Sequence, residues 1–174
     1  MITTQIPGEL MTREKWLNLR EKDQISIVTE LAVGLKELHS HNADSLGFDW
    51  HKFVEHQSEI ALERQIAGGV NPEWIEKLPR FLETNLKLLP TDCPTVFLHS
   101  DVHFGNLRLQ KTNGKWQISG LFDFADSLCG FHEFDFLAPT ILMIQGQGKI
   151  QREFFKAYGY SENDLDESFR KRLM

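Results

Sequence analysis

Eight consecutive residues carry more information than any other part of the 174-residue sequence: His99-Ser100-Asp101-Val102-His103-Phe104-Gly105-Asn106. The short apolar run 95–98 before them is typical of a buried strand, and residues 107–109 begin another strand. The turn between the two strands therefore presents His, Asp and Asn side chains at a strand end, where a rigid scaffold commonly positions functional groups. We interpret this turn as the centre of a site.

A β-hairpin brings a further carboxylate toward that turn. Two short strands flank an Asn113-Gly114 turn signal, and Asp123 follows the second strand. Oxygen ligands from Asp101, Asn106 and Asp123 are therefore predicted to converge, and such ligands suit Mg²⁺. An Asp five residues before an Asn, with a further Asp after a hairpin, is the arrangement that kinases use for phosphoryl transfer.

Helices are predicted around this hairpin. Capping residues or apolar periodicity indicate helices that start at or near seven places: Thr12, Asp23, Trp50, Asn71-Pro72, Glu133, Ile150 and Ser161. Pro79 is expected to kink or split the fourth of these helices. Residues 2–6 are extended in character and predict a strand that ends at Pro7-Gly8. We predict an α+β fold, predominantly α, in which a small β-hairpin carries the site loop.

Composition limits the class of protein. The chain is 41% apolar, which suffices for one domain with a core, and its 25 acidic and 19 basic side chains give a net charge of −6. This balance argues against a nucleic-acid partner. The sequence has no apolar run long enough to span a bilayer and no secretion signal, so we expect a soluble, cytoplasmic protein with no membrane partner. Cys93 and Cys129 are then expected to be reduced thiols.

The segment His99–Asn106 resembles the catalytic loop of the aminoglycoside phosphotransferase and choline kinase superfamily, whose pattern reads His-Gly-Asp-Leu-His-Pro-Gly-Asn. Ser100, Val102 and Phe104 depart from that pattern, and the other five positions match it. None of the departures removes a ligand.

Flanking segments extend the resemblance over nearly the whole chain. Residues 122–124 resemble the metal-binding turn of the superfamily. Gly130 and the segment 134–136 resemble its Gly-Asp-Pro-x-Tyr-Asp-Leu element, although residues 131–132 replace the usual Asp-Pro. Upstream, residues 4–9 are similar to the hinge between the two lobes, and residues 35–39 to the end of a long helix.

This resemblance implies a role for each matching residue. Asp101 becomes the catalytic base, and Asn106 and Asp123 become the Mg²⁺ ligands. The remaining implied roles are supporting or nucleotide-binding. His99 and His103 brace the loop, Asp126 orients substrate or faces solvent, Asp135 bonds nearby backbone, and Thr4 and Ile6 offer main-chain hydrogen bonds to the adenine of ATP.

The resemblance also implies an overall organisation. Residues 1–9 would be a remnant of the hinge strand, and residues 10–174 the C-terminal lobe of a protein-kinase-like fold, truncated at both ends. The parent activity would be ATP- and Mg²⁺-dependent transfer of a phosphoryl group to a hydroxyl of a small molecule. The lobe alone is expected to be inactive, to need the missing N-terminal lobe as a partner, and to self-associate through its uncovered surface.

Two other interpretations remain open at the level of sequence. The chain is either such an enzyme lobe or a non-catalytic module that keeps the site residues and binds a partner. A remote alternative is an Fe(II) site formed by His99, Asp101 and His132, which would need a β-rich barrel around it. Four further histidines are expected to be solvated or to lie at helix ends: His39, His41, His51 and His56.

Overall fold

The site loop connects two small antiparallel sheets. The computed structural model describes residues 5–90 and 92–173. One sheet has the order β1-β3-β4, formed by the strands Glu9–Leu10, Leu107–Thr112 and Lys115–Leu121. The other pairs β2, Val96–Leu98, with β5, Leu128–Gly130. The loop leaves β2 in one sheet and enters β3 in the other, so both of its ends are fixed by strands.

Helices surround these sheets. The described residues contain the α-helices α1 Arg13–Asn18, α2 Glu21–Leu38, α3 Trp50–Ala67, α4 Pro72–Asn85, α5 Gly148–Tyr158 and α6 Glu167–Arg172. A 3-10 helix, His132–Phe136, and a π-helical segment, Pro139–Ile144, follow β5. The predicted class, predominantly helical with a small β-hairpin, is confirmed.

Some predicted boundaries were wrong. Helix α2 begins at Glu21, and Asp23 lies in its first turn, where it pairs with Arg20 at 2.7 Å instead of capping the helix. Asp166, whose carboxylate accepts from the Phe169 N–H, caps α6 in place of Ser161.

Helix α4 runs past Pro79 without interruption. Proline has no N–H, so the carbonyl one turn before Pro79 lacks its usual helical donor. Pro79 is exposed, so water can donate to that carbonyl instead.

The predicted N-terminal strand lies only partly within the described residues. Residues 2–4 lie outside the described residues, residues 5–7 are not in a strand, and β1 begins only at Glu9. Residues 7–8 are nevertheless fixed to the hairpin, because Ser119 Oγ donates to the Pro7 carbonyl at 2.6 Å and Arg108 donates to the Gly8 carbonyl at 2.8 Å. Gly8 has φ +89, and a Cβ there would overlap the Leu109 carbonyl, so the close approach requires glycine.

Two apolar clusters hold the loop between them. The larger cluster joins α2, α5 and the three-stranded sheet, and includes Val102 and Leu107 at 0% exposure. The smaller cluster joins α3 to β2 and includes Trp50 and Leu98. Leu98 precedes the loop and Val102 lies within it, so each cluster anchors one side of the residues 99–101.

Two further expectations from the sequence concern membrane spans and the two cysteines. None of the helices within residues 5–90 and 92–173 is both long and apolar enough to cross a membrane. Cys93 and Cys129 are both free thiols, and burial raises the pKa of each.

Candidate functional site

The buried carboxylate of Asp135 holds the backbone of the site loop. Asp135 is 2% exposed. Its Oδ2 accepts the His99 N–H at 2.8 Å, and its Oδ1 accepts the Ser100 N–H at 2.6 Å. His39 Nε2 lies 3.0 Å from Oδ2 and provides a third bond. Hydrogen bonds to an ionised acceptor are about twice as strong as neutral ones, so this carboxylate fixes the start of the loop firmly.

The His99 ring braces the loop from inside. It is fully buried, its Nδ1 accepts the Asp101 N–H at 3.2 Å, and its Nε2 lies 3.0 Å from the Phe122 carbonyl. Because Nδ1 is the acceptor, the ring proton resides on Nε2 and is donated to that carbonyl. His99 therefore links the turn that carries Asp101 to the strand end that carries Asp123.

Ser100 occupies a conformation that favours glycine. Its φ is +66°, and the superfamily pattern has Gly at this position. Ser100 Oγ donates to the Asp126 carbonyl, which helps to compensate for the unfavourable backbone conformation. The side chain of Asp126 itself is exposed, so the described contribution of this residue to the loop is made by its main chain.

Asp101 and Asn106 face each other across the turn. Asn106 is buried, and its Nδ2 donates at 2.9 Å both to the Asp101 carbonyl and to Asp101 Oδ2. The amide oxygen of Asn106 is thereby left as an acceptor. The Asp101 side chain is 41% exposed, so its carboxylate is held in place and is also open to a substrate.

His103 adds a second contact to the same carboxylate. Its Nδ1 accepts the Gly105 N–H at 2.8 Å, which puts the ring proton on Nε2, 3.4 Å from Asp101 Oδ2. A Cβ at position 105 would lie 2.5 Å from His103 Cε1. The glycine therefore leaves room for the ring to lie beside the carboxylate.

Asp123 lies at the adjoining strand end. The Phe122 N–H donates to the Asn106 carbonyl at 3.1 Å, so Asp123 follows a residue that is bonded directly to Asn106. Asp123 is exposed and has φ +67°, a left-handed conformation. Among the described residues none donates a hydrogen bond to its carboxylate, which is therefore free to bind a ligand.

The donor set fits magnesium and does not fit iron. Within the described ranges no three His, Cys, Asp or Glu side chains cluster closely enough to hold a metal ion. The carboxamide oxygen of Asn106 and the carboxylate of Asp123 could supply two hard oxygen ligands. Mg²⁺ commonly takes only one or two protein ligands and completes its shell with water and substrate phosphates.

The Fe(II) alternative is contradicted. Both ring nitrogens of His99 are bonded to main-chain groups, those of Asp101 and Phe122, and His132 Nε2 lies 2.8 Å from the Tyr160 hydroxyl. The His132 ring is stacked on Tyr158 at 5.5 Å between centroids. These contacts orient the two imidazoles toward separate partners, so they do not form a triad with Asp101.

Two buried polar contacts were missed in the sequence. His39, expected to be solvated or to lie at a helix end, does end α2 but is only 7% exposed because it bonds Asp135. Glu133 is 4% exposed and accepts two bonds from Arg172, each at 2.8 Å. The similarity of residues 35–39 to the superfamily helix end was the only signal for His39, and nothing local indicates the Glu133–Arg172 pair.

Of the two nucleotide-binding candidates, Thr4 and Ile6, the structure describes Ile6. Thr4 lies outside the described residues. The side chain of Ile6 packs against Gly120, and a Cβ added at position 120 would lie 2.6 Å from Ile6 Cγ2. Its main-chain bonds to adenine remain a prediction.

Solved structures share this fold. The ADP-bound aminoglycoside phosphotransferase APH(2'')-Ib is 22% identical, has a TM-score of 0.65, and matches over 97% of this chain and 58% of its own. The GDP complex of aminoglycoside 2'-phosphotransferase-IIIa is 16% identical, with a TM-score of 0.76 over 97% and 56% of the two chains. A macrolide 2'-phosphotransferase type I is 18% identical, with a TM-score of 0.60 over 89% and 52%. The chain thus spans little more than half the length of these structures.

Sequence comparison gives the family. No curated protein sequence is matched. The model of the phosphotransferase enzyme family matches residues 1–169, nearly the entire chain and all the site residues described above. The chain therefore belongs to the phosphotransferase enzyme family.

Proposed function

We propose that the protein transfers the γ-phosphoryl group of ATP to a hydroxyl group of a small molecule, with Mg²⁺ as cofactor. One observation carries the proposal. The Asp101 carboxylate is oriented by Asn106 Nδ2 at 2.9 Å and remains 41% exposed. A base that is fixed in direction and open to solvent can accept the proton of a hydroxyl that approaches it.

The loop residues divide the work of positioning. Asp101 orients the acceptor hydroxyl and takes its proton, and His103 Nε2–H stabilises the carboxylate. Asn106 Oδ1 and Asp123 would hold Mg²⁺, which when bound neutralises charge on the phosphates. Asp135 and His99 keep these groups in register through their bonds to the loop. Positioning and charge neutralisation supply most of the rate in phosphoryl transfer.

The structural neighbours support the nucleotide and the kind of acceptor. One of them is a streptomycin–ATP ternary complex of APH(2'')-IIa, 22% identical with a TM-score of 0.64. By analogy, the main chains of Thr4 and Ile6 are proposed to contact adenine. The family has members that act on different acceptors, and a shared fold alone does not select among them.

The chain matches only 56–58% of the length of two structural neighbours, so we propose that it acts as part of a longer protein, and the test uses that whole protein. Phosphate transfer from ATP with Mg²⁺ is measured on a panel of hydroxyl-bearing small molecules, for the unchanged protein and for Asp101→Asn. The variant keeps the shape and the bond partner of Asp101 but is a poor base, so kcat should fall by roughly 10²- to 10⁴-fold with nucleotide affinity little changed. If the unchanged protein binds ATP but transfers phosphate to no acceptor, the result would favour the non-catalytic module instead.

A further inference from the structure

A cavity separates α3 and α4 from the 3-10 helix His132–Phe136. Its volume is about 410 Å³. Aromatic and aliphatic side chains form most of the wall, among them Trp50, Phe53, Leu82, Leu86, Phe131 and Phe134. Pockets that bind small molecules are commonly apolar and have volumes of roughly 300–1,000 Å³, so this one has the size and lining of a ligand site.

The two charged residues of the wall neutralise each other. Glu133 Oε2 and Oε1 accept from Arg172 Nε and Nη2 at 2.8 Å each, and Oε1 also accepts from the Tyr160 hydroxyl at 3.2 Å. Arg172 Nη1 donates to Ser168 Oγ at 3.3 Å. A charged ligand would lose its hydration without gaining a free counter-ion, which is strongly unfavourable. The occupant should therefore carry no charge.

Helix α3 supplies two polar groups to the wall. Gln57 Oε1 accepts from Arg64 at 2.8 Å, so the Gln57 amide N–H groups remain as donors. The Ser58 hydroxyl donates to the Glu55 carbonyl at 2.7 Å, so its oxygen remains as an acceptor. A ligand with one carbonyl, ether or hydroxyl group matches these two residues.

The end of α4 presents apolar side chains to the cavity. This helix has an apolar side, yet none of its side chains is buried. Leu82, near its end, and Leu86, which follows it, both line the cavity. Protein interiors are normally close-packed, and apolar walls that face water gain stability when an apolar group displaces that water.

We propose that this cavity is a binding site for an uncharged, predominantly apolar small molecule whose single polar group faces Gln57 and Ser58. The site uses none of the residues Asp101, Asn106 and Asp123, so it stands independently of the proposed phosphotransfer. Phe134 in its wall directly precedes Asp135, which anchors the site loop.

The test compares three naphthalene dyes of different charge on the whole protein, without nucleotide or metal. Prodan is neutral, anilinonaphthalene sulfonate is anionic, and dansylcadaverine is cationic. Fluorescence titration should show one saturable site for prodan, with an affinity roughly tenfold higher than for either charged dye. Equal or tighter binding of a charged dye, or no saturable prodan binding, would overturn the proposal.

Two matched variants locate the dye. Ala61 lines the cavity, whereas Ala67, on the same helix, is exposed. Ala61→Phe should fill the space and weaken prodan binding roughly tenfold or more, and Ala67→Phe should leave it unchanged. Leu82→Gln, which makes the wall polar at nearly constant size, should also weaken binding and serves if Ala61→Phe does not fold. Unaltered binding in a folded cavity variant would show that the dye lies elsewhere and would refute the assignment.

Discussion

His39 Nε2 lies 3.0 Å from Asp135 Oδ2, the same oxygen that accepts the His99 N–H. The other ring nitrogen of His39 lies 2.9 Å from the Tyr158 hydroxyl. His39 caps the C-terminus of α2 and Tyr158 ends α5, so two core helices are joined through one carboxylate to the loop that carries Asp101. The position of the loop therefore depends on how these two helices pack.

The first prediction concerns this junction. His39→Ala removes one of three donors from the buried Asp135 carboxylate and leaves the Tyr158 hydroxyl without its partner. Loss of such buried bonds costs about 1–3 kcal/mol, so the free energy of unfolding should fall by that amount. Urea denaturation measures the change, with His41→Ala as the control because the His41 side chain is exposed. Equal midpoints for the two variants would contradict the prediction.

Asp135→Asn should loosen the loop without changing its shape. One carboxylate oxygen becomes an NH₂ group, which cannot accept the backbone N–H that it faces. Amide hydrogen exchange at His99 and Ser100 should accelerate by about tenfold or more, because losing one charge-assisted bond is worth at least about 1.4 kcal/mol. The Ile27 amide, in the middle of buried α2, reports global unfolding, so the acceleration at the loop amides should exceed any change at Ile27. Unaltered protection at both loop amides would mean that Asp135 does not hold the loop.

Local chemistry explains why the helices and the hairpin could be predicted. Thr12 Oγ1 accepts the Lys15 N–H at 3.1 Å, and Asn71 Oδ1 accepts the Glu73 N–H at 2.9 Å, so both caps act within three residues of their own position. The Asn113-Gly114 turn has φ values of +52° and +76°, as its sequence requires. Such signals are readable because they involve only neighbouring residues.

Contacts between distant residues were not predictable in the same way. His39 and Asp135 are 96 positions apart, and Glu133 and Arg172 are 39 apart. Neither pair lies on a shared local pattern, since each forms only when separate helices pack. Charged side chains are usually exposed, so the sequence gives no reason to place Glu133 and Arg172 in an apolar wall. Because the two charges neutralise each other, both can lie there.

Titration of His132 should make stability depend on pH. Burial lowers the pKa of His132 from 6.5 to about 4. The unfolded chain therefore binds more protons than the folded one between pH 6.5 and 4, and stability should be complete above pH 6.5 and fall as the pH drops toward 4. The loss from this residue should reach roughly 2–3 kcal/mol at the acid end.

His132→Phe provides the control for this effect. The variant keeps an aromatic ring against Tyr158 but cannot be protonated. Urea midpoints between pH 7 and 4 should decline more for the unchanged chain than for the variant. Parallel declines would show that other groups account for the acid sensitivity.

Asp123→Asn should impair nucleotide binding in the presence of Mg²⁺. The exposed carboxylate is a proposed metal ligand, and an amide is a weaker ligand for a hard cation. Calorimetry on the whole protein should show at least about tenfold weaker binding of Mg-ATP, whereas binding of ATP in EDTA should be affected much less. Asp92→Asn, which removes an exposed carboxylate elsewhere, should leave both affinities unchanged. Equal effects of the two substitutions would exclude Asp123 as a ligand.

Gly105→Ala should separate His103 from Asp101 with little effect on stability. The added Cβ would lie 2.5 Å from His103 Cε1 and 2.9 Å from Nδ1, closer than real contacts allow. The His103 side chain is 28% exposed and can rotate into solvent, so the backbone need not move. The free energy of unfolding should therefore fall by no more than about 1 kcal/mol. Movement of the ring breaks the Gly105 N–H bond to Nδ1 and withdraws Nε2 from Asp101 Oδ2, now 3.4 Å away. Turnover by the whole protein should then equal that of His103→Ala, and the double variant should lose nothing further, because both changes remove the same contact. If the losses of turnover add up in the double variant, Gly105 has a role in the loop other than making room for His103.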